Sequence, residues 1–133
     1  MSLRLCFSGN YFFVDSENGD DNNEGSYEKP WKSLQTVINE KIETYSDTGE
    51  IVNEGAPIKS GDVIILLEGD YGKIRIENLY NSDYIIIAAN EESKAKLSYI
   101  AAKNTKYWRF DGLFIVADQE SNYPMISMDR IIK

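Results

Sequence analysis

Histidine is absent from this 133-residue chain, and cysteine occurs once, at Cys6. The first absence excludes Ser-His-Asp and Cys-His nucleophilic sites and every histidine-ligated metal site. The second excludes an intrachain disulfide. Cys6 has Arg4 as its only nearby cation, too little to make a reactive thiolate. No apolar run approaches the ~20 residues of a membrane span. Residues 1–6 carry one Arg and no long apolar stretch, so they are not a signal peptide as they stand. Positive charge is also scarce: 14 basic side chains face 22 acidic ones, for a net charge of -8. Such a field repels phosphate backbones and anionic membranes, so neither nucleic acid nor a membrane span is expected.

What is present suits a packed domain. Hydrophobic residues make up 42% of the chain, and Val, Ile and Leu cluster in short runs. A chain of this size can bury roughly 65–70% of its unfolded surface. The charge is uneven. Residues 1–72 hold 5 basic and 14 acidic groups, net -9, whereas residues 73–109 hold 7 and 4, net +3. The expected organisation is one structural domain in two parts. Residues 1–60 supply a strand, an acidic loop and a capping helix, and residues 61–133 supply successive strands.

Tyr11-Phe12-Phe13-Val14 is short and β-prone. Residues 15–26 are almost purely Asp, Asn, Gly, Ser and Glu, and read as a loop. A helix is predicted over residues 30–45. Pro30 suits its first turn, and Trp31, Leu34, Ile38, Ile42 and Tyr45 make one apolar stripe. Residues 47–60 are polar, with Gly49, Gly55 and Pro57, and read as loop. Strands are then expected at residues 62–67, 74–76, 84–88, 97–100, 107–110 and 113–116, with turns at 69–72 and 81–83.

These strands recur with a fixed period. Val63 and Ile65 are followed 22 residues on by Ile85 and Ile87, and those 23 on by Trp108 and Phe110. Ile74 and Ile76 are followed 23 on by Leu97 and Tyr99. Two strand series with one period imply stacked coils, each strand pairing with its counterpart one turn later. The expected fold is therefore all-β, a right-handed single-stranded parallel β-helix of few coils with an N-terminal capping α-helix. The amphipathic helix would cover the open apolar end of the first coil. The alternative is an antiparallel sandwich, although no Asn-Gly or Asp-Gly pair sits as a hairpin turn between strands.

The elements Val14-Asp15, Pro30-Trp31-Lys32-Ser33-Leu34-Gln35-Thr36-Val37-Ile38, Gly61-Asp62-Val63-Ile64, Gly69-Asp70-Tyr71 and Tyr107-Trp108-Arg109-Phe110-Asp111-Gly112-Leu113 occur in that order. This order resembles the amino-terminal region of pectate-lyase-like right-handed β-helix proteins, nearest to the chondroitinase B and alginate lyase family. The segment over residues 43–60 is longer than in that pattern. The resemblance implies an extracellular, periplasmic or cell-surface protein acting on uronate-containing polysaccharide by β-elimination. That chemistry needs Ca²⁺ or Arg/Lys to neutralise the uronate carboxylate, a base for the C5 proton and an acid for the leaving oxygen. In such enzymes those residues sit on later coils, so no catalytic residue is carried onto this chain, and Ca²⁺ is implied only for a longer parent protein. The alternative is a non-catalytic module for glycan binding or surface attachment. The chain ends inside a strand-like run over residues 125–132, which suggests a fragment and self-association through an uncapped last coil.

Within this frame the candidate substrate-binding residues are Lys73, Arg75, Lys96 and Arg109. Lys73 and Lys96 lie 23 residues apart and would stack on one outer wall, with Lys94 nearby. Arg75 leans the same way as Lys73, and Arg109 points outward between Trp108 and Phe110. Tyr71, Tyr80 and Tyr123 could stack on sugar rings. The run Asp20-x-Asn22-x-Glu24-Gly25 begins like a calcium loop. Its twelfth position is Trp31 instead of a bidentate Glu, so it reads as a solvated loop and no metal site is expected.

Overall fold

The structure, a computed structural model, describes residues 9–90, 94–115 and 126–129. The β-branched and aromatic runs form strands, and one short helix interrupts them. In chain order these are β1 (Tyr11–Val14), α1 (Leu34–Glu40), β2 (Thr44–Tyr45), β3 (Ile51–Val52), β4 (Val63–Leu66), β5 (Gly69–Asp70) and β6 (Lys73–Glu77). Then follow β7 (Tyr80–Ala89), β8 (Ala95–Leu97), β9 (Tyr99–Lys103), β10 (Lys106–Asp111), β11 (Phe114–Ile115) and β12 (Ile126–Asp129).

Three sheets result. The largest has six strands in the order β1-β4-β7-β2-β3, with β10 also on β7. The other two run β11-β8-β5 and β12-β9-β6. Between them lies a core of Val14, Trp31, Leu34, Val37, Ile38, Ile64, Leu66, Ile74, Ile76, Ile85, Ile87, Leu97, Ile100 and Trp108, all buried. The corners after β6 and β9 are alike: Asn78 and Asn104, 26 residues apart, both hold a left-handed conformation that Asn tolerates better than other side-chain-bearing residues.

The expected right-handed parallel β-helix is not what forms. The described residues are 46% strand and 7% helix, folded as a curled mixed-sheet half-barrel. The largest sheet is mixed because β2 runs antiparallel to both β3 (Thr44↔Val52, Tyr45↔Ile51) and β7 (Tyr45↔Tyr80). The physical source is the long segment after the helix. Read from sequence as loop, it folds back as a small hairpin, held by Asn53 Nδ2 donating to the Asn39 carbonyl (2.7 Å) and by Lys59 paired with Glu43 (3.2 Å). The antiparallel sandwich is excluded as well, since β1, β4, β7 and β10 pair parallel.

Register differs from the sequence expectation at two places. Ile85 and Ile87 pair with Trp108 and Phe110, as the spacing predicts. Val63 and Ile65, however, pair with Ile86 and Ala88, one residue later than expected. Ile74 and Ile76 pair with Ile100 and Ala102 instead of Leu97 and Tyr99. The predicted turn at residues 69–72 contains β5, which pairs with β8 26 residues on, and residues 81–83 lie inside β7. The C-terminal edge expected to self-associate lies partly outside the described residues; within them, β12 pairs parallel with β9.

The helix is shorter than predicted because its flanks bond elsewhere. Trp31 donates its N–H to the Phe13 carbonyl (3.0 Å), and its own carbonyl accepts from Asp15 (2.7 Å), which keeps this residue extended beside β1. At the other end Ile58 donates to the Lys41 carbonyl (3.0 Å) and draws the chain out of the helix. Ser33, the N-cap residue, makes no side-chain cap. Asp21 replaces it from twelve residues upstream, accepting the N–H groups of Ser33 (2.8 Å) and Lys32 (3.0 Å).

α1 also closes a sheet edge. The Gln35 amide accepts the N–H of Arg75 and donates to its carbonyl, both at 2.8 Å, as a neighbouring strand would. An unpaired edge is a template for association. Gln35→Ala is expected to lower stability by about 1 kcal/mol and to increase self-association. Urea melts and sedimentation velocity check both, and unchanged sedimentation would refute the edge-protecting role.

Candidate functional site

Strand alternation sets which side chains of β6 reach solvent. Ile74 and Ile76 face the core, while Lys73, Arg75 and Glu77 are exposed. Their partners on β9 are Tyr99, Ala101 and Lys103. The outward positions of β6 and β9 therefore carry three cations, Lys73, Arg75 and Lys103, against one acid, Glu77, with the half-buried Tyr99 and Ala101 between them, and the register of β12 sets Asp129 opposite Lys103. Arg75 and Glu77 make a loose ion pair of 3.8 Å, and the Arg75 side chain is 70% exposed. Screening leaves such a pair little energy, so the guanidinium stays available.

Lys96 does not join this wall. It lies on β8, between Asp70 of β5 and Phe114 of β11. The expected stacking of Lys96 over Lys73 fails because the β5–β8 and β6–β9 offsets are both 26 residues, not 23. Lys94 precedes β8, its carbonyl accepting from Gly69 (3.2 Å). Arg109 is exposed on the outer face of the largest sheet, opposite Ile86 of β7. The four predicted residues thus occupy three surfaces, and only Lys73 and Arg75 share one.

The acidic loop is a folding device around Trp31. Asp15 Oδ1 accepts from Glu17 and Asn18, Asp20 Oδ1 accepts from Asn22, and Asn23 accepts the indole N–H at 2.6 Å. Burial opposes the charged form of Asp21, but the N–H groups of Ser33 and Lys32 outweigh it and hold the carboxyl below its ordinary range. Among the described residues no three Asp, Glu or Cys side chains converge as metal ligands.

Tyr71 is structural too. Its hydroxyl lies 2.7 Å from the Leu67 carbonyl and 2.9 Å from that of Val14, and it accepts from Ser16 N–H (3.4 Å). Burial pushes its hydroxyl up to about 12. Beside it a cleft of roughly 300 Å³ is lined by Ser16, Lys32, Ser33, Leu34, Gln35, Asp70 and Tyr71. Lys32 Nζ and the Gln35 amide, two of its polar groups, are already bonded to Ser16 and Arg75. Tyr80 is half buried at the start of β7, and Tyr123 lies outside the described residues.

Sequence reasoning missed Tyr99 and Lys103 on the wall, and Tyr84, Lys106 and Tyr107 on the largest sheet. The signal for the first two was present: Asn78 and Asn104 each follow an exposed charge, Glu77 and Lys103, and mark the 26-residue offset.

Among the described residues no helix is long and apolar enough to cross a membrane. No protein-family model, curated protein or solved structure matches this chain.

Proposed function

We propose that this chain is a non-catalytic module that binds acidic, uronate-containing polysaccharide along the outward wall of β6 and β9. The observation that carries this reading is the grouping of Lys73, Arg75 and Lys103 around Tyr99 and Ala101 on a protein that is otherwise strongly acidic. A local positive patch on a negative molecule selects an anionic partner by place as well as by charge. Alanine at position 101 keeps the middle of the wall low, between a ring on one side and a cation on the other. Such a partner places the protein outside the cell, in the periplasm or at the cell surface.

Attachment is favoured over β-elimination by the wall's openness. A lyase must bring a neutralising cation, a base and an acid to one sugar in a site where water is excluded. Here the cations stand on a sheet face in contact with solvent, and Glu77 turns toward Arg75.

Binding to polygalacturonate, alginate and chondroitin sulfate, measured by calorimetry at low salt, is expected to saturate for at least one and to weaken as salt rises. The double variant Lys73→Ala, Arg75→Ala should bind roughly three- to ten-fold more weakly. It should fold normally, because Gln35 holds the backbone of Arg75 and not its side chain. No binding to any of the three, or equal binding by the double variant, would overturn the proposal. Unsaturated product absorbing in the ultraviolet would restore the lyase reading.

A further inference from the structure

Where β9 gives way to β10, the three consecutive residues Thr105, Lys106 and Tyr107 carry local penalties. Thr105 is 1% exposed, and its hydroxyl has no hydrogen-bond partner. The register between β10 and β7 slips between Lys106 and Trp108. Tyr107, at the slip, has φ of 64°, a region that a bulky residue rarely adopts. A buried amide supports this arrangement: Asn81 Nδ2 donates to the Tyr107 carbonyl (3.1 Å), while Asn81 Oδ1 lies 2.8 Å from the Thr44 hydroxyl.

The result is an aromatic platform. The rings of Tyr84 and Tyr107 meet edge to face, with centroids 5.0 Å apart. Lys106 Nζ stands 4.9 Å over the Tyr107 ring. Arg109 pairs with Ile86, two residues beyond Tyr84 on β7, and is exposed on the same face of the sheet as Tyr84. Neither tyrosine belongs to the hydrophobic clusters on the two sides of this sheet, so core packing does not offset the strain. Strained residues and bulges concentrate where a side chain must be aimed at a ligand.

We infer that Tyr84 and Tyr107, flanked by Lys106 and Arg109, form a stacking subsite for one uronate ring of the polysaccharide. This inference rests on the polysaccharide-binding reading above and extends it to a second face. The apolar C–H face of a pyranose lies on a tyrosine ring, and the cations at the platform's margin meet its carboxylate. The two surfaces are close along the chain. Lys103 ends β9 and Lys106 begins β10, so their Cα atoms are at most ~11 Å apart. A polymer held by the wall can turn the Asn104 corner onto the platform.

The variant Tyr107→Gly tests this directly, because glycine adopts positive φ freely and the substitution removes the ring and the strain together. Tyr84→Ala removes the other ring without touching the bulge. Both should keep the native circular dichroism spectrum. Each should bind whichever of polygalacturonate, alginate and chondroitin sulfate the wild type binds roughly three- to ten-fold more weakly with an unchanged salt dependence, whereas Lys73→Ala, Arg75→Ala flattens that dependence. Wild-type affinity in both ring variants, with the wild type binding normally, would overturn the subsite and leave the wall reading standing. A wild type that binds none of the three polysaccharides would remove the wall reading and the subsite with it.

Discussion

Trp31→Ala is expected to lower stability by about 3–5 kcal/mol, which for a chain of this length is a fall in melting temperature of roughly 10–20 °C. The indole is 1% exposed and joins three parts of the fold. Its ring stacks on Phe12 of β1 at 5.6 Å and 15°. Its N–H is held by the Asn23 carbonyl. Its remaining neighbours are the backbone at Gly25, where an added Cβ would come within 2.5 Å of the ring, and Lys41 at the end of α1, whose Nζ stands 5.8 Å from the ring centroid. Removing the side chain leaves a large void and deprives the acidic loop of the surface around which its turns are arranged. Gly25→Ala attacks the same contact from the opposite side, and φ of 84° at that position adds strain. The two substitutions should therefore be non-additive: Gly25→Ala, strongly destabilising alone, should have much less effect once Trp31 is alanine. Chemical denaturation of the four proteins measures this. Strict additivity would mean that the loop does not fold around the ring.

The same residue shows how far sequence reading reaches here. Trp31 was legible as an apolar residue facing the core, because it begins a run at helical spacing. It was not legible as extended backbone, because its bonds run to Phe13 and Asp15 across a loop whose fold the sequence does not encode locally. The acidic loop posed a related problem. Asp20 and Asp21 look alike in sequence. One closes a turn on Asn22, and the other caps a helix from twelve residues away. Where a charge works at long range, composition gives the residue type without its use.

The candidate site divides along similar lines. Lys73 and Arg75 were legible because Ile74 and Ile76 alternate with them, and alternation fixes which residues face outward. Lys96 was misplaced because Tyr99, the true partner of Lys73, lies three residues beyond it, past a break at Ser98 that splits one predicted strand into β8 and β9. The hairpin of β2 and β3 was missed because strands of two residues carry no periodicity. That hairpin turns an otherwise parallel sheet into a mixed one.

β4 presents the opposite difficulty. Val63, Ile64, Ile65 and Leu66 are all buried, two toward the main core and two in a second cluster with Ile86 and Ala88. A strand covered on both faces reads as an unbroken apolar run and has no phase from which to set its register. The structure sets it by pairing Phe12 with Ile64, Ile64 with Ile87, and Ile87 with Phe110, the two isoleucines in the main core and the two half-buried rings packed against it. Ile87→Ala, at the centre of that row, is expected to lower stability by about 2–5 kcal/mol, because the neighbouring strands cannot close the gap without breaking their ladders. The decisive quantity is its coupling to β4. Ile64 and Ile87 share the row, so Ile64→Ala and Ile87→Ala should couple by about 0.5–3 kcal/mol. Ile65 pairs with Ala88 on the other face, so Ile65→Ala and Ile87→Ala should add to within about 0.5 kcal/mol. Urea denaturation of the two double-mutant cycles separates the registers. Stronger coupling for Ile65 than for Ile64 would shift β4 by one residue and, since side chains alternate, turn every β4 side chain to the opposite face of the sheet.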